Sequence, residues 1–577
     1  MAEQSNTSTG TPPWGIFPAG SSLLRDLPIV LAGLAVFYGI ISFAHYGIGP
    51  MNTEAEISLA PALPRYALYS VIRIAAAYAL SLAFTLVYGY VAAYNKRAER
   101  LMIPLLDTLQ SIPVLSFLPG VMVAMVSLFP TRQLGVELGS ILLIFTGQVW
   151  NMTFSFYSSL KSIPREMREA SRVYHFSWFQ RFVQMELPYA SIGLIWNSMM
   201  SVAGGWFFLM ACEMFVLGDR DLRLPGLGSY LQTAANEGNK RAILAGVAMM
   251  ILVIVLMDQL IWRPIIAWAQ KFKVEQVEAA ETATSPILEL LRRSHLLSLA
   301  SEWTTIPARE ALMRRFAKAH TSKPETKKRS GVTWYPIAII AGVALLYGII
   351  RMFGMIAGVS SPEWRQILLG AGATFLRVEL VLALAALWTV PVGIYIGLRP
   401  RLSAIAQPVA QIAASVPATA LFPVILLVLI RLGGGLGIGA IVLLLLGTQW
   451  YILFNVIAGA TAIPTDLKEV CSVFRLSKAE RWRKLFLPAV FPFLVTGFVT
   501  ASGGAWNASI VAEYFHFQGQ TISTVGLGAV ISDATNRGNY HVLLAATVVM
   551  ALMVVTINRL LWRRLYSLAS TKYKLEA

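Results

Sequence analysis

Few side chains in this 577-residue sequence combine the types and spacing that chemistry requires. Two cysteines, Cys212 and Cys471, make neither a disulfide framework nor a thiolate metal site. Six scattered histidines add no ligand cluster, so no metal site is expected. Gly-Lys never occurs, which removes the phosphate cradle of an ATPase, and neither a His-Glu-x-x-His pair nor a Gly-x-Ser-x-Gly elbow is present. No catalytic residue and no cofactor of the chain's own are expected. What remains is two pairs of carboxylates. Glu169 and Glu469 lie in polar segments opened by Pro164 and Pro464, where proline followed by acids suits a helix N-terminus. Glu213 and Glu513 close long apolar runs, where a structural or gating role is expected in preference to a proton relay.

The elements that must position these groups are set by composition. Hydrophobic residues make up 56% and charged residues 13% of the chain, against about 25% charged in soluble domains. Mean hydropathy is +0.62, which excludes a soluble enzyme and makes lipid the solvent. The chain also repeats itself. At an offset of 304, Arg73 falls on Arg377, Gly89 on Gly393, Pro113 on Pro417 and Pro119 on Pro423; at 300, Trp150 falls on Trp450, Pro164 on Pro464, Glu169 on Glu469, Pro188 on Pro488, Trp206 on Trp506 and Glu213 on Glu513. Gly226-Leu227-Gly228 returns as Gly526-Leu527-Gly528.

A span needs about 20 apolar residues, and each half supplies six candidates. They lie near 28–45, 67–94, 102–128, 137–159, 187–217 and 242–266, then near 336–354, 371–398, 405–430, 436–459, 487–515 and 541–562. The fold expected is an all-α integral membrane protein of about 12 spans. Because six is even, the halves enter the membrane in the same orientation as parallel repeats. With both termini on the cytoplasmic side, six segments (95–100, 160–186, 263–334, 399–401, 464–486 and 559–577) carry +19 and leave −2 for the rest of a chain of net +17. That placement satisfies the positive-inside rule and argues against nucleic acid as a partner. The expected organisation is a polar cytoplasmic N-terminus at 1–27 that is not a cleaved signal, a membrane domain at 28–266, a cytoplasmic linker at 267–334 and a second membrane domain at 335–577. The linker reads as a tether; a regulatory or lipid-surface role for its basic helices is the alternative.

The segments between the fourth and fifth spans run Ile163-Pro164 through Glu169-Ala170-Ser171 to Glu186-Leu187-Pro188, and Ile463-Pro464 through Glu469-Val470-Cys471 to Phe486-Leu487-Pro488. Each should hold two short helices beneath the membrane. Here, and in Gly204-Gly205-Trp206 to Glu213 with its second copy Gly504-x-Trp506 to Glu513, the chain resembles the inner-membrane permeases of binding-protein-dependent ABC importers, in their nitrate, sulfonate and taurine branch. The resemblance implies two fused type I transmembrane domains of six helices each. It implies two ABC ATPase subunits that supply ATP and Mg chemistry, a periplasmic substrate-binding protein and a bacterial inner membrane. Pro164, Glu169, Ala170, Pro188, Pro464, Glu469 and Pro488 then belong to ATPase-coupling loops. The family's loop glycine is replaced at His175 or Phe176 and at Arg475, which puts the turn there in question.

Polar residues within the spans include Gln148, Asn151, Asn197 and Ser201 in the first half and Gln449, Thr496, Thr500, Ser502, Asn507 and Ser509 in the second. Most should be interhelical contacts. Trp206, Phe207, Glu213, Trp506, Asn507, Ser509 and Glu513 are candidates for a pathway or gate, with aromatic bulk from the first half and polar groups from the second. Arg73 and Arg377 are expected to snorkel outward, and Trp262 and Trp562 to act as interfacial anchors. Oxyanions such as nitrate, bicarbonate or organic sulfonates fit the resemblance as cargo, and a vitamin precursor is the alternative. A secondary transporter with internal repeats and a non-transporting scaffold are the competing classes.

Overall fold

The computed structural model describes residues 20–51, 57–59, 61–217, 220–272, 286–294, 302–303, 307, 311, 334–432, 435–517 and 520–572. The tip of the N-terminal segment and most of the linker, including its basic run at 323–329, lie outside the described residues.

Each repeat builds the same series. A peripheral helix (Gly20–Ile48; Trp334–Ala357) precedes a long helix (Leu63–Tyr94; Ser361–Gly397), then a broken pair (Lys96–Ser111 and Leu118–Leu128; Pro400–Ser415 and Ala418–Arg431). A fourth helix (Leu134–Ser162; Leu436–Thr461), two short loop helices and a fifth helix (Leu187–Glu213; Leu487–Ala512) follow. A two-stranded hairpin, a short helix (Leu227–Asn236; Leu527–Asn536) and a last helix (Lys240–Met257; Tyr540–Ile557) complete it. In both repeats the fourth helix is the hub, packed on the second and the fifth.

Among the described residues eight helices are long and apolar enough to span a membrane, or ten when each bent pair counts once, fewer than the twelve expected. Of the two remaining segments, Leu134–Ser162 carries Glu137, Gln148, Asn151 and a run of serines that dilute its apolar character. The other, Trp334–Ala357, is apolar along its length and carries Arg351 as its one charge. The third span of each repeat is not straight: its halves meet at 84° and 81°. Proline explains the break, since Pro113 and Pro417 force the preceding residue out of the helical region, leaving Ile112 at φ −80°, ψ 126° and Val416 at φ −74°, ψ 115°.

The broken spans interlock the repeats. The turn at Val114–Phe117 packs on the second repeat's fifth and last helices, and Ala418–Arg431 packs on the first repeat's fifth, short and last helices. The amide of Leu115 donates to Asn507 Oδ1 at 3.3 Å, and Thr547 Oγ1 donates to the Ser116 carbonyl at 3.1 Å. Irregular backbone at membrane depth is tolerated where protein buries and satisfies it. Trp262 and Trp562 are buried rather than set at an interface: Trp262 meets Tyr78 edge-on and Trp562 stacks on Phe498. Of the linker, helix Pro286–Arg293 is described; it lies against Arg263–Ala269, and the next residue, Ser294, donates to Asp26 at 2.6 Å.

Candidate functional site

At one end of the bundle the loop helices Arg165–Val173 and Thr465–Val473 begin immediately after Pro164 and Pro464. Glu169, Ala170 and Glu469 are exposed there, beside the exposed apolar residues Val173, Tyr174, Val473 and Phe474. Each helix ends in a left-handed residue although neither is glycine: His175 has φ +50° and Arg475 φ +51°. The turn is closed by Phe176 N–H to Ser171 O (3.0 Å) and by Leu476 N–H to Cys471 O (3.1 Å), the bonding pattern that normally recruits glycine. The left-handed turn therefore forms without glycine, at a cost in strain of about 1 kcal/mol per site. His175→Gly and Arg475→Gly should relieve it and slow amide exchange at the loop about fivefold; faster exchange would show that the side chains hold the turn.

After the turn, Ser177 and Ser477 cap a second short helix by pairing with Gln180 and Glu480. A single π turn (Phe182–Glu186; Trp482–Phe486) then runs straight into the fifth helix. Pro188 and Pro488 sit in that helix's first turn, where a missing N–H is accommodated by the wider bonding. In the first loop Arg181 Nε and Tyr94 Oη donate to buried Glu186 at 2.8 and 2.7 Å, whereas in the second Phe486 occupies the matching place and Arg481 Nε donates to the Leu476 carbonyl at 3.0 Å.

At the far end of the fifth helix, Glu213 is fully buried in a network of charges. Arg73 Nη1 donates to it at 2.8 Å and the same guanidinium holds Glu137 in a two-pronged pair at 2.6 and 2.7 Å. Arg73 is itself wholly buried, so it does not snorkel. Ser70 Oγ and the Gly228 amide also donate to Glu213, at 2.6 and 2.7 Å. The second repeat copies the clamp with Arg377, Thr374 and the Gly528 amide on Glu513, but Gly437 stands where the first repeat has Glu137. The carboxylate faces the N-terminus of the short helix that follows, where dipole and free amides favour an anion. A side chain on Gly226 or Gly526 would collide with that carboxylate, which gives the Gly-Leu-Gly motif its reason. The clamp also ends the fifth helix at Glu213 and at Ala512, so the apolar runs predicted to continue to 217 and 515 become hairpin strands instead.

Between the repeats lies a cavity of about 130 Å³, lined from the first by Asn151, Ser201 and Phe207 and from the second by Gln411, Tyr451 and Asn507. Of the sequence candidates, Phe207 and Asn507 line this cavity. Trp206, Trp506 and Ser509 do not line it: both indoles are packed within the protein, and Ser509 Oγ, fully buried, donates to the Trp506 carbonyl at 2.9 Å. Helix rotation, absent from a linear sequence, decides this. Two features escaped the sequence reading. Glu137 is a lone acid in an apolar run, and its replacement by glycine in the second copy was the available signal. The serines Ser155, Ser158, Ser159 and Ser162 recur at helical spacing, which marks one face.

The family model described as "Binding-protein-dependent transport system inner membrane component" matches this chain twice, over residues 85–261 and 389–563. The nitrate import permease protein NrtB of Leptolyngbya laminosa is 29% identical over 188 residues, which cover 33% of this chain and 64% of that protein. The bicarbonate transport system permease protein CmpB of Synechococcus elongatus is 28% identical over 37% of this chain and 71% of its own length. The putative aliphatic sulfonates transport permease protein SsuC of Bacillus subtilis is 24% identical over 38% and 76%. A third of this chain against roughly two thirds of each relative is the proportion expected when a single permease domain meets one of two repeats. With two matched copies that together span more than half its length, the chain belongs to the binding-protein-dependent transport system inner membrane components.

Proposed function

We propose that this one chain forms the whole membrane pathway of an ATP-driven importer for a small oxyanion such as nitrate, bicarbonate or an organic sulfonate. The observation that carries the reading is the pair of family domains facing each other across one cavity, each with its own exposed loop helices. Two ATPase subunits, which bring ATP and Mg, dock on the loops at Glu169 and Glu469. A periplasmic binding protein delivers cargo at the hairpin end. The chain lies in the bacterial inner membrane with both termini cytoplasmic. Helix runs without a gap from the capped loop to Glu213, so a pull on the loop is delivered to the wall of the cavity and to the clamp behind it. Differential affinity of the ATPase dimer for the two arrangements then shifts the pathway between its openings.

In a reconstituted complex, Glu169→Lys with Glu469→Lys should reduce ATP hydrolysis stimulated by loaded binding protein at least tenfold while the chain still elutes as a folded species. Unchanged stimulation would remove the loops from coupling. Uptake driven by an ion gradient with no ATPase subunit present would point to a secondary transporter instead.

A further inference from the structure

The cavity between the repeats shares Asn151 with a second space on the loop side of the first repeat. A groove of about 470 Å³ starts at Asn151, which lines both spaces, and runs past Ser155, Ser158, Ser159 and Asn197, all from the first repeat. The matching face of the second repeat differs, first at the residue that stands over the groove. In the first repeat Gly193 faces Ser155 and Ser159, whose hydroxyls lie 3.1 and 3.2 Å from where a Cβ would stand. In the second the residue at that position is Phe493, whose ring packs into the space over Gly459. The serines at 155, 158 and 159 become Asn455, Ala458 and Gly459, and Asn197 becomes Gly497. Above the groove, Ser201 Oγ lines the cavity at 2% exposure with no protein partner, and its counterpart is Ala501.

We propose that cargo leaves the central cavity by a one-sided path along the first repeat, from Ser201 and Asn151 over the serine groove, and that this path takes a small oxyanion through neutral hydroxyl and amide donors. The proposal rests on the permease reading and adds the route to it. Among the described residues no Asp, Glu, His, Lys or Arg lines the cavity or the groove, and the one phenol there, Tyr451, is neutral in its ordinary form. Neutral donors replace part of an anion's hydration without the deep well that a buried arginine would make, which is what passage requires. The same neutrality leaves selection among oxyanions to groups outside the pathway.

The test is accessibility in the full-length chain carrying Cys212→Ala and Cys471→Ala in lipid nanodiscs, with a methanethiosulfonate bearing a sulfonate group as the probe. Cysteines introduced as Ser155→Cys and Ser159→Cys should react, and adding Gly193→Phe should slow both at least tenfold, while Gly193→Ala stays within twofold. If Gly193→Phe does not elute as a folded species, the mirror variant decides: Phe493→Gly should raise the reactivity of Asn455→Cys at least tenfold. Equal rates with and without Gly193→Phe in folded protein, or no gain from Phe493→Gly, overturn the one-sided path. A groove that reacts as expected in a complete complex that moves no oxyanion would leave the groove standing and remove the permease reading.

Discussion

Arg73→Ala is expected to be the most damaging single substitution in the membrane core. It would leave Glu137 and Glu213, at 1% and 0% exposure, buried with no counter-charge. Removing one partner of a buried pair costs about 3–5 kcal/mol, and here one guanidinium serves two carboxylates. Total stability of a folded protein is about 5–15 kcal/mol, so the loss takes a large share of it and the yield of folded chain should fall. Arg73→Lys keeps the charge but loses the two-pronged geometry and should be intermediate. Arg377→Ala should be milder, because that side chain is 11% exposed and answers to a single carboxylate, Glu513. The measurement is the yield and melting temperature of the monodisperse chain in detergent. A melting temperature for Arg73→Ala equal to that of wild type would show that the network contributes nothing to stability.

Gly528→Ala should come next. The added methyl would stand 2.7 Å from Ile510 Cα and closer still to the Ser509 carbonyl, both backbone atoms that cannot swing aside. Overpacking of this kind costs about 1–3 kcal/mol, and the fifth helix must separate from the short helix it clamps. Gly228→Ala meets the Met210 carbonyl at 2.9 Å and Glu213 Cβ at 3.0 Å, looser contacts that predict a smaller loss. The expected order in melting temperature is wild type, then Gly228→Ala, then Gly528→Ala, with uptake falling in the same order. A reversed order would mean that the two clamps are not packed as their geometry indicates.

Much of this architecture is legible in one sequence because the sequence contains it twice. Pro113 with Pro417 and Glu213 with Glu513 announce positions that matter, since rare types at a fixed offset are unlikely to coincide by chance. The reading failed where the answer depends on how a helix is turned about its axis. Trp206 and Phe207 are neighbours in sequence, yet one is packed within the protein and the other faces the cavity. It failed again at Arg73, placed at a span end where it could snorkel, since nothing in the order of residues ties it to Glu137, its partner 64 residues away. His175 and Arg475 teach the converse: a glycine absent from a motif does not remove the left-handed turn when closing hydrogen bonds hold it. The serine groove was visible as a helical face but carried no charge to attract notice.

The interlocked third spans also bear on how the chain is made. Leu115 finds its acceptor on Asn507, 392 residues later. At about 5–20 residues per second that acceptor emerges roughly 20–80 s after the amide that needs it. For that interval the kink at Pro113 is a membrane segment with an unanswered peptide group, a state that lipid penalises by several kcal/mol. The first repeat is therefore completed only by its twin. Carrying the twin on the same ribosome guarantees that it comes, in equal number and to the same patch of membrane.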